Sequence, residues 1–259
     1  MLTRLLLALA IGAMLSTPTL AGRTCEQKPA SDKAVIRGLN MALKTQSALD
    51  ASGAQVVVLA RSGQDLTKYN LRYSHIGIAY KLPEGWRVLH KLNGCGTNTS
   101  NVYVQGLGEF FLDDPWRYDA AWVVPAIAVQ QRLKALLNDE NQTTVMHEPA
   151  YNLVSYAWGT KYQQSNQWAI ETFAMAMEPT LSSRTQAQSW LQSQQYQPTA
   201  LTIGPLSRLG GLATSVNIAF DDHPNFKRFS DRIETVTADS VFEWMERTGL
   251  GGAPVQLPE

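Results

Sequence analysis

The sequence has few cysteines, no net charge and no long apolar run beyond its N-terminus. Its 259 residues include two cysteines, and 22 Lys and Arg residues balance 22 Asp and Glu residues. Proteins that bind nucleic acid or an anionic membrane surface usually carry a surplus of positive charge, so neither is an expected partner. A helix needs roughly 20 apolar residues to cross a bilayer, and no later segment approaches that length. We therefore expect no transmembrane segment after removal of the N-terminal segment described next.

The sequence also lacks the spacings that mark metal and cofactor sites. His147 and His223 have no second pair of ligands at metal spacing. Gly106-Leu107-Gly108 is too short a glycine pattern to indicate a dinucleotide site, and no glycine-rich phosphate loop follows a strand. The expectation is a protein with no metal and no cofactor.

The N-terminus has the composition of a secretory signal peptide. Arg4 precedes an apolar run, and the small-residue ending Thr19-Leu20-Ala21 resembles a cleavage site. We expect residues 1–21 to be removed and the mature protein to be exported, either to the periplasm or out of the cell.

Both cysteines lie in the exported part of the chain. An oxidising compartment favours a disulfide between Cys25 and Cys95. Such a bond would close a loop of about 70 residues, for which chain entropy predicts a stabilisation of roughly 4 kcal/mol. The alternative is that Cys95 is a reactive thiol near His90.

The periodicity of the mature chain predicts an α+β fold with an antiparallel sheet and packed helices. A helix is expected from Ser31 to about Leu49, and a strand from Gln55 to Ala60. Residues 22–249 are expected to form a single domain, and residues 250–259 a loose tail. Further expectations are an ambiguous segment at 102–113, a loop at 138–144, a turn at 205–211 and a strand at 215–220.

A β-hairpin is predicted around two of the four histidines. His75 and His90 lie on its two strands, and Pro83 favours a type I turn inside a four-residue loop from Leu82 to Gly85. That loop would pair Lys81 with Trp86 and place both histidines on one face of the sheet. A three-residue loop would place them on opposite faces.

A helix is predicted from Ser165 to Met177. We expect it to dock on the face of the hairpin that carries His75, where Gly77 and Ala79 would allow a close approach. A hydroxyl at the positive end of a helix, beside an imidazole, suits a nucleophile and its general base. The alternative is that Ser165 only caps the helix.

These residues resemble two related groups of proteins. The string Arg72-Tyr73-Ser74-His75-Ile76-Gly77-Ile78, a second strand with His90 and a later helix start resemble the permuted papain-like fold of the NlpC type, which includes relatives of lecithin retinol acyltransferase. A longer pattern resembles the exported bacterial family named domain of unknown function 2145. It consists of Arg61-x-Gly63 with Asp65-Leu66, Tyr73-Ser74-His75-Ile76-Gly77, Trp86 with His90-x-x-Asn93, Phe110-Phe111 with Asp114-Pro115, and Tyr162-Gln163-x-Ser165-Asn166-Gln167-Trp168 with Glu171.

The papain-like resemblance implies a role for each member of the site. His75 would be the general base, His90 would be the polar residue that orients it, and Ser165 would stand where papain-like enzymes present cysteine. This serine is a departure from the pattern, because a hydroxyl needs its proton removed during attack whereas a thiol ionises near neutral pH. The candidate substrate contacts are Asp65, Asn93, Asn166, Gln167 and Trp168, of which Trp168 is equally a candidate for the core.

Two functions remain open from the sequence. The first is an exported hydrolase or acyltransferase that acts on an amide or ester, with cell-wall peptide or lipid as the possible substrate class. The second is a catalytically inactive periplasmic module that uses the same groove to bind a peptide, a lipid or a partner protein.

Overall fold

The computed structural model describes residues 30–113 and 115–259. The predicted signal peptide and Cys25 lie outside the described residues.

A six-stranded antiparallel sheet forms the centre of the molecule, with the spatial order β4-β3-β2-β1-β5-β8. A small second sheet pairs β6 with β7. The strands are β1 (Val56–Ser62), β2 (His75–Leu82), β3 (Gly85–Asn93), β4 (Ser100–Gly106), β5 (Arg117–Val123), β6 (Thr199–Thr202), β7 (Arg232–Thr235) and β8 (Val255–Leu257).

Helices cover both faces of the central sheet, which confirms the predicted α+β class. The α-helices of the described chain are α1 (Asp32–Ala51), α2 (Leu107–Leu112), α3 (Ile127–Leu137), α4 (Glu140–Thr144), α5 (Ser165–Met177), α6 (Arg184–Ser193), α7 (Pro205–Thr214), α8 (Asn225–Arg228) and α9 (Ala238–Arg247). Ser31 caps α1, since its hydroxyl accepts a hydrogen bond from the N–H of Ala34 at 3.2 Å. Within the described residues, no helix is both long and apolar enough to span a bilayer.

The alternating side chains of the strands separate two apolar clusters. On one face, Val57 and Ala79 pack with buried residues of α1 and α2. On the opposite face, Ile76 and Ile78 pack with Trp168 and other buried residues of α5. All of β1 and the first five residues of β2 are therefore buried on both sides of the sheet.

The hairpin of β2 and β3 has the predicted register. Lys81 pairs with Trp86, and Ile78 pairs with Leu89. The connecting turn is shorter than expected, because Leu82 and Gly85 also pair and leave only Pro83 and Glu84 between the strands. Gly85 has φ 122°, a conformation that side chains disfavour, so this turn needs glycine there.

The predicted docking of α5 was wrong. Helix α5 packs against the face that carries Ile76 and Ile78. The face that carries His75 and Ala79 packs against α1 and α2 instead. The apolar side chains of Ile76 and Ile78 bury more area against a helix than Gly77 and Ala79 could. This difference explains why α5 packs on the isoleucine face.

Four local predictions also require correction. The expected loop at 138–144 contains α4, and the expected turn at 205–211 belongs to α7. Residues 215–220 form turn and irregular structure rather than a strand. The tail is not loose, because β8 pairs with β5 and Glu259 forms an ion pair with Arg37.

Candidate functional site

An open groove with a volume of about 1280 Å³ brings together five of the predicted site residues. His75, Ser165, Asp65, Asn93 and Asn166 all line it. Its walls come from the start of β2, the N-terminus of α5, the loop after β1 and the segment from β6 to residue 220.

A chain of hydrogen bonds runs from the groove into the protein through the two histidines. Nε2 of His75 lies 2.8 Å from Nδ1 of His90, and Nε2 of His90 lies 2.9 Å from Oε1 of Gln105. An amide oxygen can only accept, so Nε2 of His90 carries a proton. When both rings are neutral, Nδ1 of His90 must then accept from Nε2 of His75. This leaves Nδ1 of His75 unprotonated, which is the state that a general base requires.

The surroundings of the two rings keep them neutral. Burial lowers the pKa of His75 well below 6.5, and the positive charge of Arg61 lowers it further, with a contribution from His90. Burial and Arg61 also lower the pKa of His90 to about 4. Both imidazoles are therefore uncharged at neutral pH, as the hydrogen-bond chain requires.

Arg61 and Phe110 form the structural support behind the histidines. Arg61 pairs with His75 across β1 and β2, and its guanidinium donates to the carbonyl oxygens of Phe110 at 2.7 Å and Asp113 at 2.6 Å. It also forms an ion pair with the Asp113 carboxylate. The Phe110 ring lies 6.0 Å from the His75 ring and 5.3 Å from the His90 ring, measured between centroids. These contacts fix both imidazoles from one side.

Ser165 is the first residue of α5 and does not cap the helix. The cap is Gln164, whose side-chain oxygen accepts from the N–H of Asn166 at 3.0 Å. The alternative that Ser165 serves as the N-cap is therefore wrong. Ser165 is 4% exposed and lines the groove. Its hydroxyl and N–H interact with the phenol of Tyr151, whose pKa is raised by burial and partly lowered by these two interactions.

Asn166 connects the start of α5 to the backbone on both sides of His75. Its Oδ1 accepts from the N–H of Ile76 at 2.9 Å, and its Nδ2 donates to the carbonyl of Ser74 at 3.2 Å. Asn166 was predicted as a substrate contact, and these bonds give it a positioning role. They bring the backbone of Ser165 next to the strand end that carries His75.

Ser165 and His75 are close in the fold but are not hydrogen-bonded to each other in the described part of the chain. The His75 ring lies on the α1 and α2 face of the sheet, whereas Ser165 begins a helix on the opposite face. The two residues are brought together at the start of β2, where both line the groove. Catalytic hydrogen bonds are often long without substrate, so proton transfer between them would need a bridging water, a bound substrate or a rotation of Ser165.

The remaining predicted contacts divide into two pairs. Asp65 and Asn93 are at the rim of the groove and brace its loops. Asp65 accepts from the N–H of Thr67 at 3.0 Å, and Asn93 donates to the carbonyl of Thr97 at 2.8 Å. Hydrogen bonds from Thr67 lower the pKa of Asp65.

Gln167 and Trp168 do not reach the groove. Both are fully buried, and Trp168 belongs to the core under α5. The Gln167 side chain accepts from the Ser155 hydroxyl at 2.7 Å and donates to the carbonyl of Ala157 at 3.2 Å. The structure therefore gives these two residues structural contacts in place of substrate contacts.

Cys95 lines the groove, and no cysteine of the described residues is a free thiol. The alternative in which Cys95 is a reactive thiol is therefore not supported. Its pairing with Cys25 stays a prediction, because Cys25 lies outside the described residues. No group of three or more His, Cys, Asp and Glu side chains in the described ranges could hold a metal ion.

Gln105 and Tyr151 were missed by sequence reasoning. Gln105 lies in the segment 102–113, whose ambiguous periodicity left its face undefined. Tyr151 lies in irregular structure, where no periodic signal exists. For Gln105, the only available signal was a polar residue on a strand next to the strand that carries His90.

Comparisons with known proteins identify a family without a described activity. A family model described as "Uncharacterized protein conserved in bacteria (DUF2145)" matches residues 48–245. The comparisons with curated proteins and with solved structures give no match.

Proposed function

This chain belongs to the uncharacterized bacterial family that matches residues 48–245, and we propose for it the activity of an exported hydrolase or acyltransferase with a permuted papain-like site. The substrate would be an amide or an ester. The observation that carries the proposal is the chain from Gln105 through His90 to His75, which leaves Nδ1 of His75 unprotonated, while His75 and Ser165 both line the groove.

Each step follows from the chemistry of the groups. The Ser165 Oγ attacks the carbonyl carbon of the substrate, and Nδ1 of His75 takes the hydroxyl proton. His90 holds the His75 ring in the reactive tautomer by accepting from its Nε2–H. The partial positive charge at the N-terminus of α5 stabilises the oxyanion. His75 then protonates the leaving group, and water or an acceptor alcohol or amine releases the acyl group from Ser165.

Export and the disulfide belong to the same proposal. The signal-like sequence of residues 1–21 supports delivery across a membrane, and an oxidising compartment supports a bond between Cys25 and Cys95. A peptide or lipid of the cell envelope would be within reach of such a protein.

A second candidate function is favoured by one observation. The Ser165 hydroxyl interacts with Tyr151 and is not hydrogen-bonded to His75 in the described chain. A site that binds without turnover needs no such bond. In that case the same groove would hold a peptide, a lipid or a partner protein.

Fluorophosphonate labelling of the mature chain distinguishes the two candidates. We expect labelling of the wild type that is lost in Ser165→Ala, which removes the attacking oxygen. Labelling should fall by at least about 100-fold in His75→Ala, since a general base contributes about that factor or more. Ser189→Ala, an exposed change on α6, is the matched control and should label like the wild type. Labelling that persists in both site variants contradicts the hydrolase proposal, and an unreactive wild type favours the binding module.

A further inference from the structure

A buried polar cluster lies beside α5, on the side of the sheet opposite the two histidines of the site. Lys91, Gln163 and Glu171 are each 0% exposed, and Arg184 is 8% exposed. Charged side chains are costly to bury unless they are paired and hydrogen-bonded. None of these groups takes part in the proposed reaction, so their burial needs another explanation.

Lys91 connects this cluster to the strand that carries His90. The two residues are neighbours on β3, and successive side chains of a strand point to opposite faces of the sheet. His90 lies on the α1 and α2 face, where its ring centre is 5.3 Å from that of Phe110. Lys91 points to the α5 face, where its Nζ donates to Oε1 of Gln163 at 2.7 Å. One strand thus contacts both halves of the proposed site.

Gln163 uses all four hydrogen-bonding positions of its side-chain amide. Its Oε1 accepts from Lys91 and from the N–H of Glu148 at 3.0 Å. Its Nε2 donates to the carbonyl of Met146 at 2.7 Å and to Oε2 of Glu171 at 2.5 Å. Lys91 donates a second bond, to the carbonyl of Glu148 at 2.6 Å. An amide with every position occupied has one orientation, so these bonds hold the chain at residue 163 in place.

Helix α6 supports the same cluster from behind. Arg184 donates from Nε to Oε2 of Glu171 at 2.8 Å, and Gln188 donates to Oε1 of Glu171 at 2.7 Å. Arg184 also donates to the carbonyl of Tyr162 at 3.0 Å. The carboxylate that Gln163 contacts is therefore fixed by α6, and the chain just before Gln163 is tied to the same helix.

The position of Gln163 determines the position of Ser165. Gln163 precedes Ser165 by two residues, and its backbone N–H donates to the carbonyl of Ala150 at 2.9 Å. Ala150 is followed by Tyr151, whose phenol interacts with the hydroxyl and N–H of Ser165. Gln163 thus holds together the two segments that meet at Ser165, and a shift of its side chain would move both.

We propose that Lys91 is a positioning residue that holds Ser165 in place relative to His75. Through Gln163 it fixes the start of α5, while the adjacent His90 fixes the imidazole of His75. A nucleophile and a base from opposite faces of the sheet are in this way both referred to strand β3. The inference rests on the proposed function for its chemical meaning, whereas the placement of Ser165 can be measured without it.

The maximal rate of fluorophosphonate labelling in Lys91→Met tests the proposal. Methionine is similar in length but donates no hydrogen bond, so the start of α5 would shift. We expect the maximal rate to fall by at least about tenfold, with the reagent concentration at half-maximal rate nearly unchanged, because a small misplacement slows the chemical step. Tyr196→Phe is the matched control, since it removes another buried hydrogen bond, to Ser240 at 2.8 Å. It should lower the free energy of unfolding and leave the labelling rate unchanged.

A double-mutant cycle separates positioning from a general loss of stability. Gln163→Met should slow labelling as Lys91→Met does, and the double variant should be no slower than the slower single variant, because both changes break one connection. Effects that multiply in the double variant would show that the two residues act independently, and the proposal would be wrong. If Lys91→Met does not fold, Lys91→Gln, which keeps N–H donors on a shorter side chain, takes its place.

A thiol at position 165 reports the placement without catalysis. Ser165 is 4% exposed, so the thiol introduced by Ser165→Cys should react slowly with dithionitrobenzoate. Adding Lys91→Met should accelerate this reaction by at least about tenfold, because the start of α5 then opens more often, and adding Tyr196→Phe should not.

The two readouts distinguish a wrong positioning role from a wrong reaction. A wild type that is not labelled, together with an accelerated thiol reaction in Lys91→Met, refutes the proposed reaction and supports the positioning role. Folded Lys91→Met that labels at the wild-type maximal rate, or that leaves the thiol reaction unchanged, overturns the positioning role.

Discussion

The chemistry of His75 is set by three neighbours that act in the same direction. Burial against Phe110 disfavours the charged ring, Arg61 repels it, and His90 needs the Nε2 proton of the neutral form. Arg61 is held in place by its own bonds to Phe110 and Asp113, so its charge cannot move away. His75 is therefore a base that stays unprotonated under acidic conditions in which an ordinary histidine is charged.

The fluorophosphonate labelling rate should reflect this lowered pKa. Attack requires neutral His75, so the rate is at its plateau above the pKa of His75 and falls as the pH drops through it. Since that pKa lies well below 6.5, we expect the wild-type rate at pH 6 to equal the rate at pH 7.5. Measuring the rate from pH 4.5 to 8 checks this, and a midpoint at or above 6.5 would contradict the described surroundings of His75.

At the scale of elements, the hairpin was predictable and the packing of α5 was not. Pro83 and Gly85 define a turn whose register follows from local chemistry, so the shared face of His75 and His90 was predicted correctly. The start of α5 at Ser165 was also confirmed. The face that α5 covers depends on competition between two apolar clusters. Strand β2 has small residues on one face and isoleucines on the other, so its sequence alone allows α5 to pack on either face.

Gly77 lies in close contact with residues of β3 on the histidine face. A Cβ at Gly77 would lie 2.5 Å from Cγ1 of Val88 and 3.1 Å from the Cβ of His90. Gly77→Ala should therefore lower the free energy of unfolding by about 1–3 kcal/mol, as overpacking does, and shift His90 away from His75.

Urea unfolding and the labelling rate together measure the effect of Gly77→Ala. Gly252→Ala is the matched control, because a Cβ there meets nothing within 4 Å, and it should change neither quantity. A Gly77→Ala variant as stable and as reactive as the wild type would contradict the prediction, because the hairpin would then accept the added Cβ with no loss of stability or labelling rate.

At the scale of the whole molecule, β8 adds an edge strand to the central sheet from residues 255–257. The three residues of β8 pair with β5, and Gly251 packs so closely that a Cβ there would meet Cγ1 of Val123 at 2.4 Å. No sequence pattern identified this strand, because three residues after a glycine-rich stretch show no periodicity. Segments whose structure depends on a distant partner, such as β8 and α7, are the ones that local reasoning missed.

Truncation after Pro254 should expose the edge of β5. The loss of β8 removes paired backbone groups, and we expect the free energy of unfolding to fall by about 1–3 kcal/mol and the protein to self-associate more readily through the open edge. Urea unfolding and light scattering measure the two effects. Glu259→Gln removes only an exposed ion pair and should leave both nearly unchanged, so equal behaviour of the two variants would contradict a structural role for β8.

The capping of α5 by Gln164 has an evolutionary consequence. Because the helix start does not depend on the side chain at position 165, that position can change without loss of the fold. Serine and cysteine codons can differ by a single base, so the proposed nucleophile could pass between a hydroxyl and a thiol in one mutational step. Descendants of one ancestral gene could thus differ in chemistry while sharing every other part of the groove.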